Sequence, residues 1–198
     1  SSFGYTVWNN NSLSKYFVNK IPYAFEYTDI QARIGYSHTA YPVLTTDLTL
    51  LVRAEANAML GKYAEAVQDL NTEVKAFSGG NLSVTLTGIQ DFYRGINYYT
   101  PTEPTPKKKF HTAFNIESTT QEPILQAILQ LRRIMTVGEG WRLQDVKRYG
   151  IVMYRRTLND SRKVIAVTDT MKEDDPRRAI QLPQDVITAG LPANPRNK

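Results

Sequence analysis

Two helical segments joined by a tight turn at Gly61 constrain the fold of this chain more than any other feature. Apolar residues recur at helical spacing from Thr46 onward, and a second amphipathic segment begins at Tyr63 and runs to about residue 76. Because the break between the segments is so short, the two helices must fold back on each other. The sequence therefore predicts an antiparallel helical hairpin over residues 46–76.

The turn of this hairpin follows the pattern G-x-Y-x-x-A, formed by Gly61, Tyr63 and Ala66, which is typical of a tetratricopeptide unit. Glycine permits the turn, and alanine lets the two helices approach closely. A stable array normally needs at least three repeats, and the sequence has no second copy at the spacing of about 34 residues. The pattern predicts one tetratricopeptide-like hairpin and not a repeat array.

The rest of the chain predicts a mainly α protein with a small β-hairpin and long loops, in a single domain over residues 1–198. Local patterns divide this domain into irregular structure with short strands at 1–45, the helical hairpin at 46–76, a variable loop at 77–120, helices at 121–150, a β-hairpin at 151–168 and an extended C-terminal tail at 169–198. The long loop is rich in proline and aromatic residues, which is typical of a functional or mobile segment.

The composition argues against several classes of active site. The chain has no cysteine, so disulfides, thiolate metal sites and cysteine nucleophiles are excluded. His38 and His111 lie far apart without ligand-like spacing, and neither a metal site nor a cofactor is expected. Asp174 and Asp175 are adjacent in a loop and would point apart, whereas glycoside hydrolysis needs two carboxylates across a cleft. The sequence predicts a protein that is not an enzyme.

The net charge of +5 and the isoelectric point near 9.3 are compatible with nucleic-acid binding. Most basic residues are, however, interspersed with acidic ones. The one unbroken basic run, Lys107-Lys108-Lys109, lies in a proline-rich segment and is interpreted as a solvated loop. No nucleic-acid partner is expected.

The carboxylate of Glu55 lies on the apolar stripe of the first helix, where burial without a partner would be costly. Our hypothesis is that an arginine of the Arg132–Arg133 pair contacts it. Helical i,i+3 spacing also makes Arg148 an expected partner of Asp145. A structural role is preferred over anion binding for the basic residues of this region: Arg132, Arg133, Arg142, Lys147 and Arg148.

Exposed aromatic rings beside amide and guanidinium donors suit sugars, which present apolar C–H faces and many hydroxyl groups. Two segments offer this mixture, one near the start of the chain and one in the long loop. The candidate ligand-binding residues are Trp8, Tyr93, Arg94, Asn97, Tyr98 and Tyr99. The alternative is that these rings pack under the loop as a small apolar cluster.

Three segments follow one another in the chain: Tyr41–Asn71, with Thr45-Thr46-Asp47 before the helix; Leu131–Gly150, with Gly138-Glu139-Gly140; and Gln181-Leu182-Pro183-Gln184 with Asn194-Pro195. In this order they resemble the SusD/RagB family of outer-membrane nutrient-binding lipoproteins. One departure occurs at Leu143-Gln144, where the family commonly has an aromatic pair; here Trp141 stands two residues upstream.

The resemblance implies a SusD-like α/α superhelix of which this chain is the C-terminal portion. It also implies a non-catalytic role, in which an oligo- or polysaccharide is captured for a SusC-type TonB-dependent transporter. Such proteins are held at the surface of the outer membrane by a lipid anchor, which would lie outside this chain. The alternative is a tetratricopeptide-like protein–protein interaction scaffold without sugar binding.

Overall fold

The computed structural model describes residues 6–10, 15–19, 24–39 and 42–195. Its helices are α1 (Thr46–Met59), α2 (Tyr63–Ser78), α3 (Leu86–Gly95), α4 (Gln121–Met135), α5 (Arg142–Arg148) and α6 (Gln184–Thr188), with a short 3₁₀ turn at Pro176–Arg178. Its strands are β1 (Thr6–Asn10), β2 (Lys15–Asn19), β3 (Ala24–Asp29), β4 (Ile34–His38), β5 (Met153–Leu158) and β6 (Val164–Met171). Helices dominate, as the sequence predicts, whereas the superhelical stacking stays a prediction.

The helical hairpin predicted at residues 46–76 is present as α1 and α2. Thr45 caps α1, since its hydroxyl accepts a hydrogen bond from the Leu48 amide at 3.2 Å. Gly61 adopts a left-handed conformation with φ of 75°, which a residue with a Cβ rarely adopts. Ala54, Ala58 and Ala66 are fully buried, so their small side chains allow the two helices to approach closely.

Helix α4 lies at the centre of the helical core, where it packs against α1, α2 and α3. Its apolar stripe, which includes Ile124 and Ile128, is fully buried with Leu51 of α1 and Leu70 of α2. Each such side chain contributes about 1.5–3 kcal/mol through burial. Tyr149 and Ile151, just after α5, belong to the same cluster.

The expectation of a variable loop at residues 77–120 is corrected by α3, which occupies its first part. Thr85 caps this helix through a 3.0 Å hydrogen bond from the Gly88 amide, and Ile89 and Tyr93 face the core. The prediction missed the helix because a ten-residue segment shows barely three turns of periodicity. Residues 96–120 are irregular, and Phe110 packs there on Tyr149 with ring centroids 4.9 Å apart.

The strands form three separate antiparallel hairpins, β1–β2, β3–β4 and β5–β6. Two of them lie at residues 1–45, where irregular structure with short strands is predicted, and the third extends the predicted hairpin at 151–168 to Met171. The C-terminal segment, predicted as extended apart from a short helical turn through Val186 and Ile187, contains that turn as α6 and also the 3₁₀ turn. Buried Arg178 fastens it by donating to the carbonyls of Val146 (2.7 Å) and Ile151 (2.6 Å).

Candidate ligand-binding site

A cavity of about 260 Å³ opens between α3, the start of α4 and the loop that follows α3. Tyr98, Arg94, Lys107 and Glu122 are among the side chains that line it, and we call it the Tyr98 cavity. Its lining is mixed, with two tyrosine rings beside cations, amides, hydroxyl groups and a carboxylate. This is the donor and acceptor mixture that a small polar ligand requires.

The ring of Tyr98 is held in place from two sides. Its hydroxyl donates to Glu122 Oε1 at 2.7 Å, and Lys107 Nζ lies 4.4 Å from the ring centroid. Burial and the Glu122 carboxylate together raise the pKa of Tyr98 to about 12, so the phenol is neutral at physiological pH. The side chain is still 39% exposed, which leaves part of a fixed aromatic ring open to a ligand.

The loop beneath the cavity is fastened to both helices. Lys107 Nζ donates to the carbonyl of Tyr93 at 2.6 Å, where its charge also favours the C-terminal end of the α3 dipole. Buried Gln126 of α4 accepts from the Lys108 amide at 2.9 Å and donates to the Lys108 carbonyl. Because these contacts are made to the backbone, the loop presents its side chains in one arrangement.

The structure brings together three of the six candidate ligand residues at this cavity: Tyr93, Arg94 and Tyr98. Arg94 is exposed and pairs with Asp91 at 3.0 Å on the same helix. Tyr93 is only 4% exposed and packs in the core, so its ring is not an open platform.

The other three candidates lie elsewhere. The Asn97 carbonyl accepts from the Thr105 hydroxyl at 2.8 Å and shapes the loop. Tyr99 lines a different cavity, where its hydroxyl accepts from Arg156 at 2.7 Å. Trp8 belongs to β1, but its side chain lies outside the described part of the structure. The assignment of these six residues to ligand binding remains a proposal.

Sequence reasoning missed Lys107, Glu122 and Gln126 at this site. The basic run at 107–109 was expected to be solvated, yet Lys108 is 8% exposed and Lys107 is half-buried, which corrects that interpretation. The available signal was on α4, where Glu122 and Gln126 place two polar groups one turn apart on the same side of the helix. Such a pair indicates that one side of the helix meets polar groups and not the core.

The predicted contact between Glu55 and the arginine pair is confirmed. Arg132 Nη2 lies 2.5 Å from Glu55 Oε2, and Arg132 Nη1 lies 2.5 Å from Asp145 Oδ1, so one guanidinium bridges two buried carboxylates. The expected pair of Asp145 with Arg148 does not form. Arg148 instead donates to Glu55 at 2.8 Å, because Asp145 points from α5 toward α4. Tyr149 completes this buried ion cluster with a 2.6 Å hydrogen bond to Glu55.

The two carboxylates of this cluster differ in acidity. Burial alone would raise the pKa of Glu55, but the Tyr149 hydroxyl and the charges of Arg132 and Arg148 together hold it below the ordinary value. Burial raises the pKa of Asp145 despite Arg132, and one of its carboxylate oxygens has no hydrogen-bond partner in the described structure. The cluster joins α1, α4 and α5.

The model of the SusD family matches residues 4–188, which is most of the chain and extends well upstream of the three motif segments. The chain belongs to the SusD family. Neither a characterised protein nor a solved structure matches it. Membership indicates a nutrient-binding component of the outer membrane and agrees with the helical fold. In the described part of this SusD family member, every helix is too short or too polar to cross a membrane.

Proposed function

We propose that this SusD family member is the non-catalytic glycan-binding component of a TonB-dependent polysaccharide uptake system in the outer membrane. Family membership supports capture of a nutrient. The half-exposed ring of Tyr98, fixed by Lys107 and Glu122, is the observation that favours a sugar, because it offers a flat apolar surface beside polar groups. The volume of about 260 Å³ lies just below the usual range of small-molecule sites and suits one sugar ring at a time.

The lining of the Tyr98 cavity favours binding over hydrolysis. Most glycoside hydrolases use two carboxylates that flank the scissile bond. Of the described residues lining this cavity, Glu122 is the one carboxylate. Tyr98 and Gln126 already donate hydrogen bonds to it, so it serves to orient the aromatic ring. On incubation with polysaccharides we expect no release of oligosaccharides, and reproducible release would overturn the non-catalytic assignment.

A glycan array with three variants tests the assignment of the site. Tyr98→Ala removes the ring and should weaken binding about tenfold, whereas Tyr98→Phe keeps the ring and should retain most of the affinity. Tyr27→Ala is the matched control, because Tyr27 is also an exposed tyrosine, 52% accessible, but lies on β3 outside the cavity. Equal binding by Tyr98→Ala and the control would contradict the site.

The proposal also includes a location and a partner. The protein would act at the cell surface, lipid-anchored through a segment outside these residues, as the partner of a SusC-type transporter. Co-purification of the transporter from detergent-solubilised outer membranes carrying the full-length protein tests this assignment. If the protein is purified without the transporter but still binds glycans, the binding function stands and the transporter is rejected as its partner.

A tetratricopeptide-like interaction scaffold without sugar binding is the second candidate function. An apolar groove of about 450 Å³ between α2, α3 and α4 favours it, with Phe92 53% exposed at its edge. Under this alternative, Phe92→Glu should abolish capture of the transporter, and Tyr98→Ala should change no measured property. Under the glycan-binding proposal, Phe92→Glu should leave the affinity for glycans unchanged.

A further inference from the structure

A second cavity, of about 480 Å³, is lined by four basic side chains that come from four different parts of the fold. Lys108 comes from the loop after α3, Arg133 from α4, Arg142 from the start of α5 and Arg156 from β5. We call it the basic cavity. These residues are separated by up to 48 positions in the sequence, so the convergence is a product of the tertiary structure.

The charge of the basic cavity is poorly compensated. None of the described residues that line it is an aspartate or a glutamate. Among the described residues, the closest carboxylate to these four cations is Asp145, whose Oδ2 lies 3.9 Å from Arg142 Nη1, and Asp145 is itself paired with Arg132 at 2.5 Å. Arg156 donates only to neutral acceptors, namely the Pro101 carbonyl and Tyr99 hydroxyl, each at 2.7 Å, and the Thr100 carbonyl. The cavity therefore attracts anions.

The environment of Lys108 reflects this accumulation of positive charge. Its ammonium group lies 3.4 Å from the centroid of the Tyr99 ring and donates to the Thr105 carbonyl. Burial, followed by the charges of Arg133, Arg142 and Arg156, lowers the pKa of Lys108 to about 7. A bound anion would offset this repulsion and favour the charged form of the lysine.

We propose that the basic cavity binds the carboxylate or sulfate group of an acidic sugar, so that the glycan captured by this protein is anionic and not neutral. This inference rests on the proposed function for the sugar part of the ligand. The guanidinium groups of Arg133 and Arg142 provide the planar donor pairs that carboxylate and sulfate oxygens accept, and Arg156, whose nitrogens already donate to neutral acceptors, adds positive charge beside them. Tyr99 and Gln130, which also line the cavity, provide a ring and an amide beside them.

Three monosaccharides with one ring and different charges test the proposal: glucose, glucuronate and glucose 6-sulfate. In an NMR titration of the whole chain, at least one acidic sugar should shift the resonance of the Gln130 side-chain amide, whereas neutral glucose should leave it unchanged. The comparison of glucuronate with glucose 6-sulfate distinguishes a carboxylate site from a sulfate site. Inorganic sulfate binding as tightly as either acidic sugar would overturn the proposal, because the ring would then contribute nothing.

A pair of variants provides the matched control. Arg133 is exposed at the cavity, so Arg133→Gln should fold normally and weaken binding of the acidic sugar about tenfold. Arg155→Gln makes the same change of charge at an exposed arginine of β5 that does not line the cavity, and it should bind like the wild type. Equal losses of affinity in the two variants would show that the effect depends only on net charge and would overturn the proposal.

The outcomes separate this inference from the proposed function. Binding of neutral glycans on the array together with no response to either acidic sugar overturns the inference alone. A failure of every glycan and sugar overturns both. Tighter binding of a single-stranded oligonucleotide than of the acidic sugars, with the same loss in Arg133→Gln, would assign the cavity to phosphate recognition and overturn the inference.

Discussion

Replacing Arg132 with methionine should destabilise the protein far more than the same replacement at Arg133, the other arginine of α4. Arg132 is 6% exposed and bridges Glu55 and Asp145, which are 8% and 3% exposed. Methionine fills a similar volume, so the cost arises from leaving buried carboxylates without their counter-charge. Asp145 would retain only Arg142 at 3.9 Å, whereas Glu55 would keep Arg148 and Tyr149.

Removing one partner of a buried ion pair costs about 3–5 kcal/mol, which for a domain of this size lowers Tm by about 6–20 °C. The matched control is Arg133→Met, the same exchange at the next residue, whose side chain is exposed. It should change the free energy of unfolding by less than about 0.5 kcal/mol. Urea denaturation followed by circular dichroism measures both variants, and similar losses in the two would refute the reasoning.

The pH dependence separates lost charge pairing from lost packing. Without Arg132, the pKa values of Asp145 and Glu55 in the folded protein must rise relative to the wild type, so acidification protonates them at a higher pH in the variant than in the wild type. The stability difference between Arg132→Met and the wild type should therefore shrink as pH falls toward 4.5, the ordinary pKa of a glutamate. A difference that stays constant with pH would indicate a packing defect. Adding Glu55→Gln and Asp145→Asn to the variant should recover part of the loss.

Two further predictions concern Gly150 and Lys108. Gly150→Ala should cost at least about 3 kcal/mol of unfolding free energy, because φ is 58° and a Cβ would lie 2.2 Å from the His111 carbonyl oxygen. The control is Gly61→Ala, which should cost about 1 kcal/mol because φ is 75° but the space around the residue is open. Equal losses of unfolding free energy in the two variants would contradict the role of the His111 contact. Burial and the neighbouring arginines lower the pKa of Lys108 from 10.5 to about 7, so the unfolded chain binds a proton there that the folded chain does not, and stability rises with pH across this window. Lys108→Met should flatten that rise when urea unfolding is compared at about pH 7.5 and about pH 9, and an unchanged slope would reject the assignment.

Local sequence patterns predicted the elements that carry strong periodicity or turn chemistry. The hairpin at Gly61, the helix that begins at Gln121 and the strands around Asn159 were identifiable because spacing and turn residues act within a few positions. Helix α3 was missed because it is short and carries the aromatic residues that suggested a binding loop. The apolar face of α3 is identified only by its packing against α4 in the tertiary structure.

The candidate site was predicted in part. The aromatic and guanidinium residues of segment 91–99 indicated a ligand surface, and Arg94 and Tyr98 do line one cavity. Tyr93 faces the core because it lies on the buried side of α3. Tyr98 and Tyr99 line different cavities, since neighbouring residues of an extended segment project in different directions. The sequence pattern could not distinguish these positions, because all three aromatic residues lie within seven positions of each other.

The amino-acid sequence alone determined that two helices fold back at Gly61, that Glu55 needs a cation, and that the chain resembles the SusD family. Only the tertiary structure decided that Arg132 also holds Asp145, and that Lys108 joins three arginines around one cavity. Helix and turn formation depend on residues a few positions apart, where spacing is directly visible in the sequence. Ion pairs and cavities depend on how distant segments pack, and a burial pattern indicates that a charge needs a partner without indicating which one.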